Sequence, residues 1–400
     1  MVADAQNIKV PEIRFKDEDG NDFPDWEIGV LSDVAKKSKE KNKSLQSSEV
    51  LTNSATRGIV SQGSYFDREI TTESNLDGYY IVPLGAFVYN PRISKLAPAG
   101  PINRNNLYGG LMSPLYTVFS VEGEYSDFLE IYFKTTVWHR YMKAVSNFGV
   151  RHDRMNVSTG DFFNMPIALP CTSEQRKIGE FLIAVDERIA RLKRKKERLE
   201  EYKKGMMQKL FSQEIRFKRD AGNDFPDWEL RNLGNLLAEV SVKTTMNNQY
   251  EVLSSTADGI YLQSEYFNRQ IASKDNVGYK ILKKGQVVLS PQNLWLGNIS
   301  LNMAFDVGMV SPSYRIFDLS DETVSSFMGA LLRLPRMFYE YAQASEQGAS
   351  VVRRNLNLEL FSQIQVELPC LEEQQKIAKF LQGIDDKITA VANQIDNAAE

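Results

Sequence analysis

Two cysteines and two histidines in 400 residues are too few for a disulfide framework or for a zinc site assembled from thiolates and imidazoles. No apolar run approaches the roughly 20 residues of a membrane-spanning helix. The opening segment MVADAQNIKV has no apolar core of the secretory kind, so a cytoplasmic protein is expected. Positive charge is not in excess either, and the formal net charge of -4 argues against loose, sequence-indifferent binding of nucleic acid by the chain alone. Neither a lysine-containing phosphate loop nor a glycine-rich dinucleotide fingerprint occurs, which argues against nucleotide hydrolysis and against a bound dinucleotide cofactor, and with so few Cys and His no resident metal is expected. What is present is ordinary globular material, 42% hydrophobic and 25% charged, in a chain too long for one hydrophobic core and so expected to form at least two domains.

The residues that organise the chain are 172–211, TSEQRKIGEFLIAVDERIARLKRKKERLEEYKKGMMQKLF. Ile178, Leu182, Val185, Ile189, Leu192, Leu199, Tyr202, Met206 and Leu210 recur at steps of mostly three and four, with charges between them and no proline. That is the seam of a long amphipathic helix, about 60 Å at roughly 1.5 Å per residue. Such a seam needs a partner. The best candidate closes the same chain, where Ile377, Leu381, Ile384, Ile388, Val391 and Ile395 repeat the spacing.

Self-comparison decides the architecture. EIRFKDEDGNDFPDWE at 12–27 returns as EIRFKRDAGNDFPDWE at 214–229. The echo continues with GIVSQGSYFDREI at 58–70 against GIYLQSEYFNRQI at 259–271, and with GYYIVPLGAFVYNP at 78–91 against GYKILKKGQVVLSP at 278–291. SPLYTVF and SPSYRIF follow, beginning at Ser113 and Ser311. LPCTSEQRKIGEFL at 169–182 then pairs with LPCLEEQQKIAKFL at 368–381. A period of roughly 200 residues is a whole domain repeated in tandem. The expected fold is α+β: mixed α/β domains at 1–170 and 213–369, separated by helices at 171–212 and 370–400 that pack as an antiparallel coiled coil, the whole a pseudo-twofold internal repeat. Runs such as 80–89 and 281–289 read as strands, and helical periodicity returns at 127–145 and 324–344. Phe23, Trp26, Phe225 and Trp228 are expected to anchor each domain against a helix. Thr172 and Gln175 match a capping box that Leu371 breaks in the second copy. Aligning the copies sets Ile8 opposite Leu210, so the N-terminal segment is expected to complete the shorter second helix.

No catalytic constellation is present. His139 and His152 have no histidine counterparts in the other copy, and Cys171 and Cys370 lie at helix starts, where a thiol pKa can fall, without a base beside them. Side chains able to read base edges or grip phosphate instead gather in the loops of each half. They are Arg57, Gln62, Tyr65, Arg68, Asn90, Arg92, Lys95, Arg104, Asn105, Asn106, Arg151 and Arg154 in the first. In the second they are Gln263, Tyr266, Arg269, Gln292, Asn293, Trp295, Asn298, Arg315, Arg353 and Arg354. Any one of these is an ordinary solvated residue by default. As a set they form loops that differ, placed among framework segments that agree, the pattern expected of one scaffold reading two different half-sites on duplex DNA.

Taken together, the duplicated domains, each leading into Leu-Pro-x-x-x-Glu-Gln-x-x-Ile, with FPDWE at each start and the Ser-Pro-x-Tyr segments, resemble the specificity subunit of type I restriction-modification systems. The resemblance covers nearly the whole chain. It implies two target-recognition domains, each reading half of a bipartite DNA target, with helices that fix the unread spacer. It implies partners, namely two methyltransferase subunits and the restriction subunits that translocate and cut DNA. S-adenosylmethionine, ATP and magnesium would be carried by those partners and none by this chain. Glu174, Gln175, Ile178, Glu373, Gln374 and Ile377 carry the matched helix motif, and with Leu182, Val185, Ile189, Leu192, Leu199, Leu381, Ile384 and Ile388 are assigned to packing and subunit docking. Cys171 and Cys370 stand where the family more often has a second proline. The competing readings are a single-chain DNA methyltransferase and a structural coiled-coil scaffold without DNA contact.

Overall fold

The computed structural model describes residues 11–43, 49–65, 76–123, 125–147, 153–267, 275–347 and 354–399. Contacts divide the chain into two units, Met1–Arg188 and Ile189–Glu400, and the division falls inside the helix Thr172–Phe211 rather than at its ends.

Each unit is mixed helix and strand, built on one plan. In the first, a four-stranded antiparallel sheet runs in the order Ala35–Lys37, Thr117–Val121, Phe87–Tyr89, Ile102–Arg104. In the second the order is Leu237–Val240, Arg315–Leu319, Val287–Leu289, Ile299–Leu301. Side chains alternate across a strand, and here both faces are covered. Phe87 and Tyr89 enter a core with Phe119, Phe128, Trp138 and Phe162, while Val88 enters a second core with Leu51, Val82, Met112 and Val118. Val287 and Leu289 are divided from Val288 in the same way. Two-sided burial is why these tripeptides are apolar throughout.

The runs expected at 80–89 and 281–289 are each two strands. Tyr80–Val82 pairs with Gly110–Met112, and Lys280–Lys283 with Val307–Val310. The chain then turns at Gly85 (φ 86°) or Gly285 (φ 83°), a left-handed conformation that glycine adopts at no steric cost, and enters the sheet. The helical stretches are likewise divided, into Tyr125–Tyr132 and His139–Val145, and into Ser325–Leu331 and Pro335–Gln343. Pro335 starts its helix at the position where a missing N–H costs nothing.

A buried clamp fastens each unit to a long helix. Glu174, fully buried, accepts from Arg14 Nε (3.0 Å) and Nη2 (2.6 Å) and from Trp26 Nε1 (3.1 Å). Arg14 Nη2 also donates to the Pro24 carbonyl at 2.6 Å. The second copy repeats this with Glu373, Arg216 (3.1 and 2.8 Å), Trp228 (3.1 Å) and the Pro226 carbonyl (2.6 Å). The expected anchoring by Trp26 and Trp228 is thus a hydrogen bond to a carboxylate as well as ring packing. The Thr172 capping box does not form as expected. The helix already includes Thr172, and Gln175 donates to the Pro170 carbonyl at 2.7 Å. Gln374 does the same to Pro369 at 2.9 Å, so both helices start alike although only one has a threonine.

Within the second unit the end of the helix Thr172–Phe211 runs antiparallel to the helix Leu371–Ala399. Leu210 and Phe211 share a core with Ile377, Ala378, Leu381 and Ile384, and Lys203 Nζ lies 2.6 Å from Asp385. The apolar pattern misplaces one seam residue. Tyr202 is 50% exposed, and the neighbouring Lys203 is turned toward the partner helix, its charge met by Asp385 and its stem free to cover apolar surface. The first unit has an apolar depression lined by Pro11, Ile13, Phe15, Trp26, Phe128 and Ile178, and Ile13 is 91% exposed. Ile8, expected to complete the second helix, lies outside the described residues.

Candidate nucleic-acid interface

In each unit a hairpin, a one-turn helix, the loop after the central strand and a later segment meet at one rim. In the first unit the hairpin Leu51–Ser54/Gly58–Ser61 is stitched to the loop that follows Tyr89. Asn53 Nδ2 donates to the carbonyls of Val88 (2.7 Å) and Pro101 (3.1 Å), and its Oδ1 accepts from Asn103 (2.7 Å). Asn90 Nδ2 donates to the Asn53 carbonyl at 3.0 Å and its Oδ1 caps the Arg92 amide at 3.0 Å. The later segment joins through Ile93 N to the Asp153 carbonyl (3.0 Å) and Met155 N to the Pro91 carbonyl (2.9 Å). The hairpin leads directly into the short helix Gln62–Tyr65, where Ser54 donates to the Tyr65 hydroxyl at 3.1 Å and the Arg57 guanidinium lies 5.6 Å from the Tyr65 ring centre.

The second unit reaches a like arrangement with other residues. Ser255 and Asn298 exchange hydrogen bonds (2.8 and 2.9 Å) that fix the hairpin Leu253–Ser255/Ile260–Leu262 to the loop after Leu289. Arg333 ties down the hairpin tip through the Ala257 carbonyl. Tyr266 stacks on Tyr261, centroids 5.1 Å apart. Arg354 donates its amide to the Gln292 carbonyl (3.3 Å), donates Nη1 to the Ala342 carbonyl (3.2 Å), and sets its guanidinium 4.6 Å from the Trp295 ring centre.

Burial sorts the candidates. Arg57, Tyr65, Arg92, Lys95, Tyr266 and Gln292 are exposed, and Gln62, Arg154, Gln263, Asn293, Trp295 and Arg354 are half-buried at the rim. Asn90 and Asn298 are buried in the stitching just described. Asn105 is also buried; it donates to the carbonyls of Val82, Pro83 and Tyr108, so it shapes a turn. Arg104 is held by Asp127 (2.5 Å) and Glu130 (3.5 Å), and Arg315 by Glu239 (2.7 Å). Asn106, exposed, donates to Glu130 at 2.8 Å. Arg68, Arg151, Arg269 and Arg353 lie outside the described residues. Pattern reading missed Asn53, Asn103, Ser255 and Arg333, whose roles depend on partners distant in sequence, and Asp153, an acid 3.5 Å from Arg92. Asn53 and Ser255 hold equivalent places in the two hairpins, their carbonyls accepting from Asn90 and from Asn298, and the difference in letter was legible only as variation.

None of the described rim residues forms a pairing arranged for bond-making. Among the described residues no group of three or more His, Cys, Asp or Glu is placed to hold a metal, and no helix is long and apolar enough to cross a membrane. Cys171 and Cys370 are free thiols. His139 packs edge-on against Trp138, centroids 4.5 Å apart, with its pKa pushed down by burial and by Lys143. His152 lies outside the described residues. What the rim offers is cations, amides and aromatic faces on a stitched frame, suited to phosphates and base edges.

Gly100 tests the frame. It has φ 77°, and a Cβ there would meet the Asn90 carbonyl oxygen at 2.1 Å. Gly100→Ala is expected to cost the first unit roughly 2 kcal/mol or more, read by urea denaturation. Gly78→Ala, where a Cβ meets nothing within 4 Å, serves as the neutral control. Equal stability of the two variants would remove Gly100 from this role.

A family model described as the type I restriction modification DNA specificity domain matches residues 24–201 and again 226–400. The type I restriction enzyme MjaVIII specificity subunit of Methanocaldococcus jannaschii is 23% identical over 308 residues, 70% of this chain and 68% of that protein. Among solved structures, the HsdS subunit from Thermoanaerobacter tengcongensis aligns with 93% of this chain and 92% of its own, at 16% identity and a TM-score of 0.50. The type I restriction-modification S subunit from M. genitalium aligns over 98% and 96%, at 14% identity and a TM-score of 0.51. At these identities the structures speak for the fold.

Proposed function

Because the chain belongs to the type I restriction-modification DNA specificity family, with a family match in each half, we propose that it is the sequence-reading, non-catalytic subunit of such a complex, each unit recognising one half of a bipartite DNA target. The observation that carries this reading is the pair of rims: equivalent loops gathered on an equivalent frame, furnished with different side chains. We assign reading to Arg57, Gln62, Tyr65, Arg92, Lys95 and Arg154 in the first unit. Gln263, Tyr266, Gln292, Asn293, Trp295 and Arg354 take that part in the second. Asn90, Asn105, Asn298, Arg104 and Arg315 position those loops. Domain limits of 1–170 and 213–369, with helices at 171–212 and 370–400 that set the spacer and dock partners, belong to the same reading.

Two methyltransferase subunits and the restriction subunits are the proposed partners, working in the cytoplasm. Methyl transfer, translocation and cutting, with S-adenosylmethionine, ATP and magnesium, fall to them. An acidic reading subunit whose electrostatic grip is shared binds weakly alone. The test is a DNA-binding titration at fixed salt, with the full chain alone and with its methyltransferase subunit. The expected result is weak binding alone and strong preference for one split sequence in the complex. Equal affinity of the complex for all duplexes, or methyl transfer by the purified chain alone, would overturn the proposal.

A further inference from the structure

The long helix carries a patch of one sign. From Arg191 to Lys204 there are eight Lys and Arg against three Glu, in a chain of net negative charge. Arg191, Arg194, Lys195 and Arg198 line a single depression with Leu199, and all four cations are exposed. Separations of three, four and seven put them on one side of the helix, where like charges repel. Two further lysines of the same helix sit in ion pairs, Lys196 3.7 Å from Glu200 and Lys203 2.6 Å from Asp385, and neither lines the depression. Exposed Tyr202, four residues beyond Arg198, continues the side with an aromatic ring.

We propose that this face is a phosphate-contacting strip for duplex DNA, adding affinity without reading bases. The inference rests on the DNA-recognition reading above and extends it to a surface outside the two rims. Charge complementarity selects the occupant. The centre of a protein–protein interface is depleted of charge and rich in apolar side chains, whereas here Leu199 is the one apolar residue among five. Arginine guanidinium groups present paired N–H donors that suit phosphate oxygens, and contacts of this kind position a duplex without specifying it.

The test uses the full chain assembled with its methyltransferase subunit, comparing wild type with the quadruple variant Arg191→Gln, Arg194→Gln, Lys195→Gln, Arg198→Gln. Glutamine keeps the helix-forming tendency of the residues it replaces, and circular dichroism checks that the helix persists. Each phosphate contact contributes about -0.9 to the slope of log K against log salt. The variant should therefore show a slope shallower by about 3 to 4, with affinity for target and non-target duplexes reduced alike and their ratio kept. An unchanged slope overturns the strip, and a folded variant that no longer assembles with the methyltransferase subunit overturns it too, assigning the face to protein docking instead. A wild-type complex without sequence preference would overturn the recognition reading; a wild-type preference with no change in the variant's slope would overturn the strip alone.

Discussion

Replacing Glu373 with alanine is expected to lower the stability of the second unit by roughly 3 kcal/mol, near the lower end of what removing one partner from a buried ion pair costs. The carboxylate has no exposed surface; without it Arg216 loses two donated hydrogen bonds and Trp228 Nε1 loses its acceptor. The Arg216 side chain is 23% exposed, so water can reach part of the stranded charge, which is why the higher end of the range is not expected. The Trp228 N–H adds the cost of an unmet donor, about 1 kcal/mol or more. Urea denaturation followed by tryptophan fluorescence reads the change. Glu373→Leu combined with Arg216→Met should recover much of the loss, since an apolar pair of similar volume has no charge to strand. A single variant within about 1 kcal/mol of wild type would show that the clamp is decoration. Target preference, measured below the unfolding transition, should not move.

Arg354→Ala should do the reverse, costing only about 1 kcal/mol of stability through the lost Nη1 bond to the Ala342 carbonyl and weakening specific binding about 10- to 100-fold, the range of one good base contact at roughly 1–3 kcal/mol. Its guanidinium lies over the Trp295 ring at the rim, while its backbone amide, which alanine retains, keeps the link to Gln292. Arg354→Lys should rescue poorly, because a lysine keeps the charge but loses the planar fork and the stacking. Competition binding against duplexes altered in one half-site at a time reads the result. Discrimination should relax in the half-site of the second unit and stay intact in the other. Equal weakening for every duplex would reassign Arg354 to phosphate contact, and a fall in stability of several kcal/mol would make it a structural pin.

The duplication was legible because whole segments return nearly letter for letter, and the long helices because their apolar steps hold over many turns. Trp26 and Trp228 could be read as anchors, yet the partner of Trp26 is Glu174, 148 residues away in sequence, and no local pattern encodes that meeting. The candidate interface was legible by region more than by residue. An asparagine in a loop either faces a ligand or satisfies backbone groups of its own chain, and the letter is the same in both cases. Asn90, Asn105 and Asn298 chose the second course, while Arg104 and Arg315 found carboxylates that lie far off in the sequence. Tyr202 misled for a related reason: three-and-four spacing admits either of two adjacent residues, and an ion pair with Asp385 drew Lys203 inward.

The repeated clamp of arginine, tryptophan and glutamate has an evolutionary corollary. Its residues take no part in the stitching of the rims, so under the proposed function clamp and rim are separately mutable. Exposed substitutions off a framework change stability by less than about 0.5 kcal/mol, which lets the rim drift toward new sequences while the fold holds. Two copies with near-identical clamps also offer natural crossover points: a recombination within EIRFK…GNDFPDWE would graft a foreign rim onto a clamp that already fits it. Such a lineage would change its target by exchange of parts, in one step, rather than by slow repair of a destabilised domain.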